Sequence, residues 1–124
     1  MPILVHIVDD DDAVRESLQA LIAAYGYETC SHSSADDFLR CTNNSPDCLL
    51  VDHHMPGMTG MELLEHLFAQ GDHRPTMMIT GRGDSGLAAR AAAVGASYVN
   101  KPVDDNKLMR WLEQSERVRL AKSR

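Results

Sequence analysis

Aromatic side chains are scarce in this chain: three Tyr, two Phe and one Trp make up 5% of its 124 residues. A core of this size must therefore be filled by aliphatic side chains, with the seven Met as adaptable filler. Long apolar runs are missing too. None approaches the roughly 20 residues needed to cross a bilayer, and the opening Met1-Pro2-Ile3-Leu4-Val5-His6 lacks the basic region of an export signal. Cysteine is limited to Cys30, Cys41 and Cys48, whose spacings match neither a zinc knuckle nor a redox pair. An odd count without an export signal reads as reduced thiols in a cytoplasmic protein. Positive charge is also in deficit. Twelve Lys and Arg against eighteen Asp and Glu give a net charge of −6, which argues against nucleic-acid binding by the folded body. No glycine-rich phosphate loop follows a strand, which argues against a nucleotide or flavin binder.

What is present is an alternation. Five short apolar runs alternate with longer amphipathic stretches, in a chain with room for one compact domain. Ile3 to Val8 is nearly all aliphatic and stops at Asp9-Asp10-Asp11-Asp12. Asp12 is expected to cap a helix carrying Val14, Leu18, Leu21, Ile22 and Tyr25, which Gly26 ends. Tyr27 to Ser31 is a weaker strand, and Ser34 caps a helix with Phe38 and Leu39 expected inward before a break at Asn43-Asn44-Ser45-Pro46. Cys48 to Val51 is a buried run ending on Asp52. The turn Met55-Pro56-Gly57 follows, and Thr59 then caps a helix with Leu63, Leu64, Leu67 and Phe68. Thr76 to Ile79 ends on Thr80 and Gly81. Asp84 or Ser85 begins an alanine-rich helix to Val94, stopped by Gly95. Tyr98-Val99 precedes Lys101-Pro102, and a last helix carries Leu108, Trp111, Leu112 and Val118. Continuous aliphatic strands alternating with helices predict an α/β fold: a doubly wound (βα)₅ domain on a parallel five-stranded sheet.

In such sheets ligands gather at the carboxyl ends of the strands. There this sequence places Asp9 and Asp10 after the first strand, Asp52 after the third, Thr80 after the fourth and Lys101 after the fifth. Clustered carboxylates repel, so at least one pKa should rise unless a cation joins them. Mg²⁺ suits carboxylate oxygens and leaves room for a phosphate oxygen. Lys101 and the Thr80 hydroxyl add donors, so the set amounts to a cradle for a phosphoryl group.

These stretches resemble the receiver domains of two-component response regulators, most like the FixJ-type transcriptional branch. The matching pieces are Val8-Asp9-Asp10-Asp11, Asp52 through Gly60, Ile79-Thr80-Gly81-Arg82-Gly83-Asp84 and Lys101-Pro102, so the likeness runs from about Ile3 to the last helix. It implies the flavodoxin-like receiver fold with strand order 2-1-3-4-5. It implies Asp52 as phosphoacceptor, taking its phosphoryl group from a sensor histidine kinase, and Thr80 and Lys101 as phosphoryl ligands. Mg²⁺ would be held by Asp9, Asp10, Asp52 and the His54 backbone carbonyl, and Thr80 with Tyr98 would form the switch. It further implies a cis Lys101-Pro102 bond, a phosphorylation-dependent homodimer through the fourth helix and fifth strand, and an output in transcription. Residues 1–124 are then one receiver domain with no DNA-binding output domain in this chain.

Two departures stand out. Gly95-Ala96-Ser97-Tyr98 is one residue shorter than the family's Gly-Ala-x-x-aromatic turn, and His54 and Arg82 hold their basic and imidazole groups in the reverse of the frequent order. A competing reading takes Asp10-Asp11-Asp12-Ala13-Val14 as the nucleophile motif of a haloacid-dehalogenase-like phosphatase, with Asp10 as nucleophile. Against it, such enzymes need a longer chain and a cap, and Val14 serves better as a helix position. His53-His54 reads as a solvated loop pair and His6 as a core residue. Arg117, Arg119, Lys122 and Arg124 read as complements to a helix C-terminus.

Overall fold

The structure is a computed structural model that describes residues 3–41, 46–82 and 85–122, the side chain of Lys122 excepted. Its elements alternate: β1 (Leu4–Val8), α1 (Asp12–Ala24), β2 (Glu28–His32), α2 (Ala35–Arg40), β3 (Asp47–Asp52), α3 (Gly60–Ala69), β4 (Thr76–Thr80), α4 (Ser85–Ala93), β5 (Ser97–Asn100) and α5 (Asp105–Lys122). All strand pairs are parallel, in the order β2-β1-β3-β4-β5. This is the doubly wound sheet expected from the sequence.

Period-two alternation along the strands builds two cores. Val5, Ile7, Cys48, Leu50, Met77 and Ile79 face α1 and α5, meeting Ile22, Leu108 and Leu112. Val8, Leu49, Val51 and Met78 face the other way, onto Phe38 of α2, Met61, Leu63, Leu64 and Leu67 of α3, and Leu87 and Ala91 of α4. Burying both faces explains why the central strand, Asp47–Asp52, is buried at every position. Met55, Met61, Met77, Met78 and Met109 are buried, as filler should be.

Helix starts follow side-chain capping. Asp11, not Asp12, caps α1, accepting from the backbone N–H of Ala13 and Val14. The carboxylate one residue upstream reaches both free amides, and Asp12 becomes the first helical residue. Ser34 caps α2 and Thr59 caps α3, the latter as a reciprocal box with Glu62. The short turn after α4 closes without strain. Gly95, at φ +73°, and Ala96 donate their amides to the Ala92 and Ala91 carbonyls, and β5 starts one residue later at Ser97.

Several expected core positions are exposed instead: Tyr25, Leu39, Phe68 and Val118. Each lies at the margin of its helix's apolar stripe, where a neighbour (Ile22, Phe38, Leu67, Ser115) takes the inward position. The expected break at Asn43-Asn44-Ser45 and the expected helix start at Asp84 lie outside the described residues. Among those residues no helix is long and apolar enough to cross a membrane.

Candidate functional site

The parallel sheet carries four strand ends to one edge. Asp9 directly follows β1, Asp52 is the last residue of β3, Thr80 the last of β4, and Lys101 directly follows β5. Register holds them together: Asp52 is paired with Ile79, Thr80 with Asn100, and the Lys101 amide donates to the Thr80 carbonyl at 2.9 Å. The Lys101-Pro102 bond is cis, as expected. The resulting cavity, of about 440 Å³, is lined by Asp9, Asp10, Asp11, Asp52, His54, Gly81, Arg82 and Lys101.

Its electrostatics are those of an acid cluster with Lys101 close beside it. Asp9, Asp10 and Asp52 each bring a carboxylate oxygen within 4.8 Å of the others. Burial pushes the Asp9 carboxyl above the usual range; the Asp11 amide and Lys101 oppose that, while Asp52 and Asp10 add to it. Lys101 is pulled down by burial but held higher overall by Asp52, and then by Asp9 and Asp11. Its Nζ stands 2.9 Å from Asp52 Oδ1, yet off the direction of a hydrogen bond, so that buried oxygen keeps an unused acceptor direction. An acceptor left over in a buried acid cluster is the feature a hard cation or an electrophile would satisfy. The three carboxylates therefore fit Mg²⁺ by donor chemistry as well as by spacing.

Neighbouring elements hold Asp52 in place. Gly60 packs so closely on the loop that a Cβ there would lie 2.5 Å from the Asp52 carbonyl oxygen. Its amide donates to the His53 carbonyl at 3.1 Å, as does that of Met55. His53 is not the solvated residue the sequence suggested: it is partly buried, and its Nδ1 accepts from the Met61 amide at 3.3 Å. His54 is exposed beside it at the cavity rim. Thr80 is fully buried, with Oγ1 accepting from the Arg82 amide at 3.1 Å. Tyr98 is partly buried against the core formed with Leu87 and Ala91.

Comparison with known proteins decides the family. Residues 5–113 match the response regulator receiver domain. This chain belongs to that family. It is 44% identical over 103 residues to the transcriptional regulatory protein FixJ of Azorhizobium caulinodans, an alignment that takes in 82% of this chain and 49% of that protein. A low-resolution structure of the response regulator StyR superposes with a TM-score of 0.89 at 34% identity, covering 99% of this chain and 63% of that one. A crystal structure of FixJ-N gives 0.81 at 34%, covering 94% and 95%. The receiver domain thus spans about half the length of its FixJ relative. Receiver domains are signalling domains of two-component systems, and the phosphatase alternative with Asp10 as nucleophile is not supported. Here Asp10 is exposed while Asp11 and Asp12 are taken up as the cap and first residue of α1.

A second polar cluster went unread in the sequence. His6, buried in β1, places Nδ1 3.0 Å from His32 Nε2 and Nε2 3.1 Å from Asp47 Oδ2. Asp47 is also met by Arg74 at 3.0 Å and Arg119 at 3.3 Å. Arg119 therefore reaches back to the foot of β3 instead of serving its own helix end; Arg117 faces Glu113, and Arg124 and the Lys122 side chain lie outside the described residues. Burial, and then His6, hold the His32 imidazole down to about 4, so it is neutral at pH 7. The only sequence signal was a histidine in an aliphatic strand, whose partners are 26 and 41 residues away.

Proposed function

We propose that residues 1–124 form one receiver domain in which Asp52 is the phosphoacceptor. The observation that carries this reading is the Asp52 carboxylate: buried, with an unused acceptor direction, beside Asp9 and Asp10 and faced by one lysine. An Asp52 oxygen attacks the phosphorus of a phosphohistidine on a sensor histidine kinase. The Asp52 O–P bond forms, the histidine N–P bond breaks, and its electron pair returns to the imidazole. Asp9, Asp10, Asp52 and the His54 backbone carbonyl would hold Mg²⁺, which when bound offsets the charge of the carboxylates and the incoming phosphoryl oxygens. Lys101 Nζ, already 2.9 Å from Asp52, neutralises a phosphoryl oxygen.

Thr80 and Tyr98 transmit the change. The Thr80 hydroxyl, now an acceptor for the Arg82 amide, turns to donate to a phosphoryl oxygen and draws on the loop leading into α4. That helix is lightly held: Leu87 and Ala91 are its buried residues, and Arg90 forms an exposed two-contact ion pair with Glu65 of α3. Tyr98 then fills space on the Thr80 side. The shifted α4–β5 face pairs with a second copy, and the output is control of transcription in the cytoplasm. A phosphoryl group biases such a two-state element only through differential contacts, here with Thr80 and Lys101.

Intact mass spectrometry with Mg²⁺ and acetyl phosphate tests the assignment. Wild type should gain one phosphoryl group and Asp52→Asn none; equal labelling of Asp52→Asn, or label mapped to Asp10, would overturn it.

A further inference from the structure

The sheet edge away from β5 carries a second set of ligand-type side chains, which shares no residue with the acid cluster. His6 on β1 is paired with Cys30 on β2, and His32 lies two residues further along β2, so all three project onto the face covered by α2. Cys41, the C-cap of α2, closes over them. One donor atom from each of these four residues lies within 4.8 Å of all the others.

We infer that His6, Cys30, His32 and Cys41 form a tetrahedral site for Zn²⁺, bound through two ring nitrogens and two thiolates. The spacing is near what such a site needs. With Zn–N bonds of about 2.05 Å, two nitrogens on a tetrahedron stand about 3.3 Å apart; the facing nitrogens of His6 and His32 are 3.0 Å apart. The ligand set selects the metal. Two imidazoles and two thiolates suit Zn²⁺, whereas Mg²⁺ and Ca²⁺ require oxygen.

The surroundings supply what a zinc site needs behind its ligands. The His6 Nε2–H is donated to the Asp47 carboxylate at 3.1 Å, which leaves Nδ1 with its lone pair directed at the cluster. Arg74 and Arg119 also meet the Asp47 carboxylate, at 3.0 and 3.3 Å, completing a carboxylate–histidine–metal arrangement. Phe38 packs edge-on against both imidazoles, at 5.2 and 5.4 Å between ring centres, and fixes their planes. The His32 Nε2 proton moves to Nδ1, on the far side of the ring from His6, and leaves the Nε2 lone pair for the metal. Each thiol gives its proton to solvent, so one Zn²⁺ enters and two H⁺ leave. All four positions are filled by protein, which makes the site structural and leaves no place for a reactive water. It would tie α2 to β1 and β2, one backbone bond from the acid cluster, because the Asp9 amide donates to the His32 carbonyl at 3.2 Å.

Cobalt titration of the whole chain tests this. The protein is stripped with chelator, reduced, held without oxygen, and kept in excess Mg²⁺ so that the acid cluster is occupied. The expected result is one Co²⁺ per chain with the visible bands of a tetrahedral ion and a thiolate-to-cobalt charge-transfer band. Zn²⁺ should displace it stoichiometrically, and Zn²⁺ should protect Cys30 and Cys41, mapped by peptide mass spectrometry, from alkylation. Asp52→Asn should leave all of this unchanged. Cys30→Ser or Cys41→Ser should weaken binding by more than the roughly 10- to 100-fold that loss of an outer partner costs, and the double variant should lose the charge-transfer band. Should a serine variant fail to fold, alkylation protection in the wild type still decides. Cobalt binding without a thiolate band, unchanged binding in the double variant, or reduced thiols that take up no metal and only reform a Cys30–Cys41 disulfide would each overturn the inference.

Discussion

The central strand carries an aspartate at each end, and the two could hardly be treated more differently. Asp47, at the foot of β3, is 4% exposed and meets His6, Arg74 and Arg119. Asp52, at its head, is 6% exposed and has one lysine nearby, two further carboxylates, and an oxygen with no hydrogen bond. Burial is equal; compensation is not. A buried carboxylate with two cations and an imidazole contributes to the fold, while one crowded by like charge weakens the fold and is held ready for a ligand. Local sequence does not distinguish them, since both are acids bounding the same aliphatic run.

That comparison breaks first under mutation. Asp47→Ala should cost about 3 kcal/mol, near the low end for losing one partner of a buried ion pair because both arginines are partly exposed. It should appear as a lower urea midpoint at unchanged slope. Asp9→Asn and Asp52→Asn should leave stability unchanged or raise it in Mg²⁺-free buffer, because they remove repulsion. A large loss in Asp52→Asn would sink the contrast.

Acid should act next, through His32. Its folded pKa of about 4 lies below the ordinary 6.5, so between those values the unfolded chain binds more protons and stability falls as pH falls. The full effect is on the order of 3 kcal/mol between pH 7 and pH 4. Asp9 opposes it, since a raised carboxyl pKa favours the folded state as acid is added. Urea melts across that range in chelator should therefore show a slope that flattens in His32→Gln; an equal slope in the variant would remove His32 from the account.

Smaller effects sharpen the picture at the head of β3. Gly60→Ala places a methyl group against the Asp52 carbonyl and should cost about 1–3 kcal/mol. Phosphorylation by acetyl phosphate should slow in the same variant, because the acceptor backbone must shift; an unchanged rate would show that the loop absorbs the strain elsewhere. Thr59→Ala, which opens the cap of α3, should cost about 1 kcal/mol in a thermal melt and leave the labelling rate alone. The proposed α4–β5 switch is tested last. Light scattering should find a monomer that becomes a dimer with Mg²⁺ and beryllofluoride, and a loaded chain that stays monomeric would rule out the α4–β5 pairing.

The layered fold and one edge of it were legible from the chain alone. Aliphatic runs of strand length force a parallel sheet covered on both faces, and such a sheet brings the residues after each run to one side, so Asp9, Asp52, Thr80 and Lys101 could be grouped without coordinates. Helix caps were legible for the same local reason, to within the single residue that separates Asp11 from Asp12. Contacts across strands emerge only from the packed sheet. His6 meets Cys30 because β1 and β2 align in that register, Cys41 arrives from the end of a helix, and Asp47 gathers Arg74 and Arg119 from 27 and 72 residues away. Spacing along the chain says nothing of such partners, because register and helix packing fix them only when both faces of the sheet are buried at once.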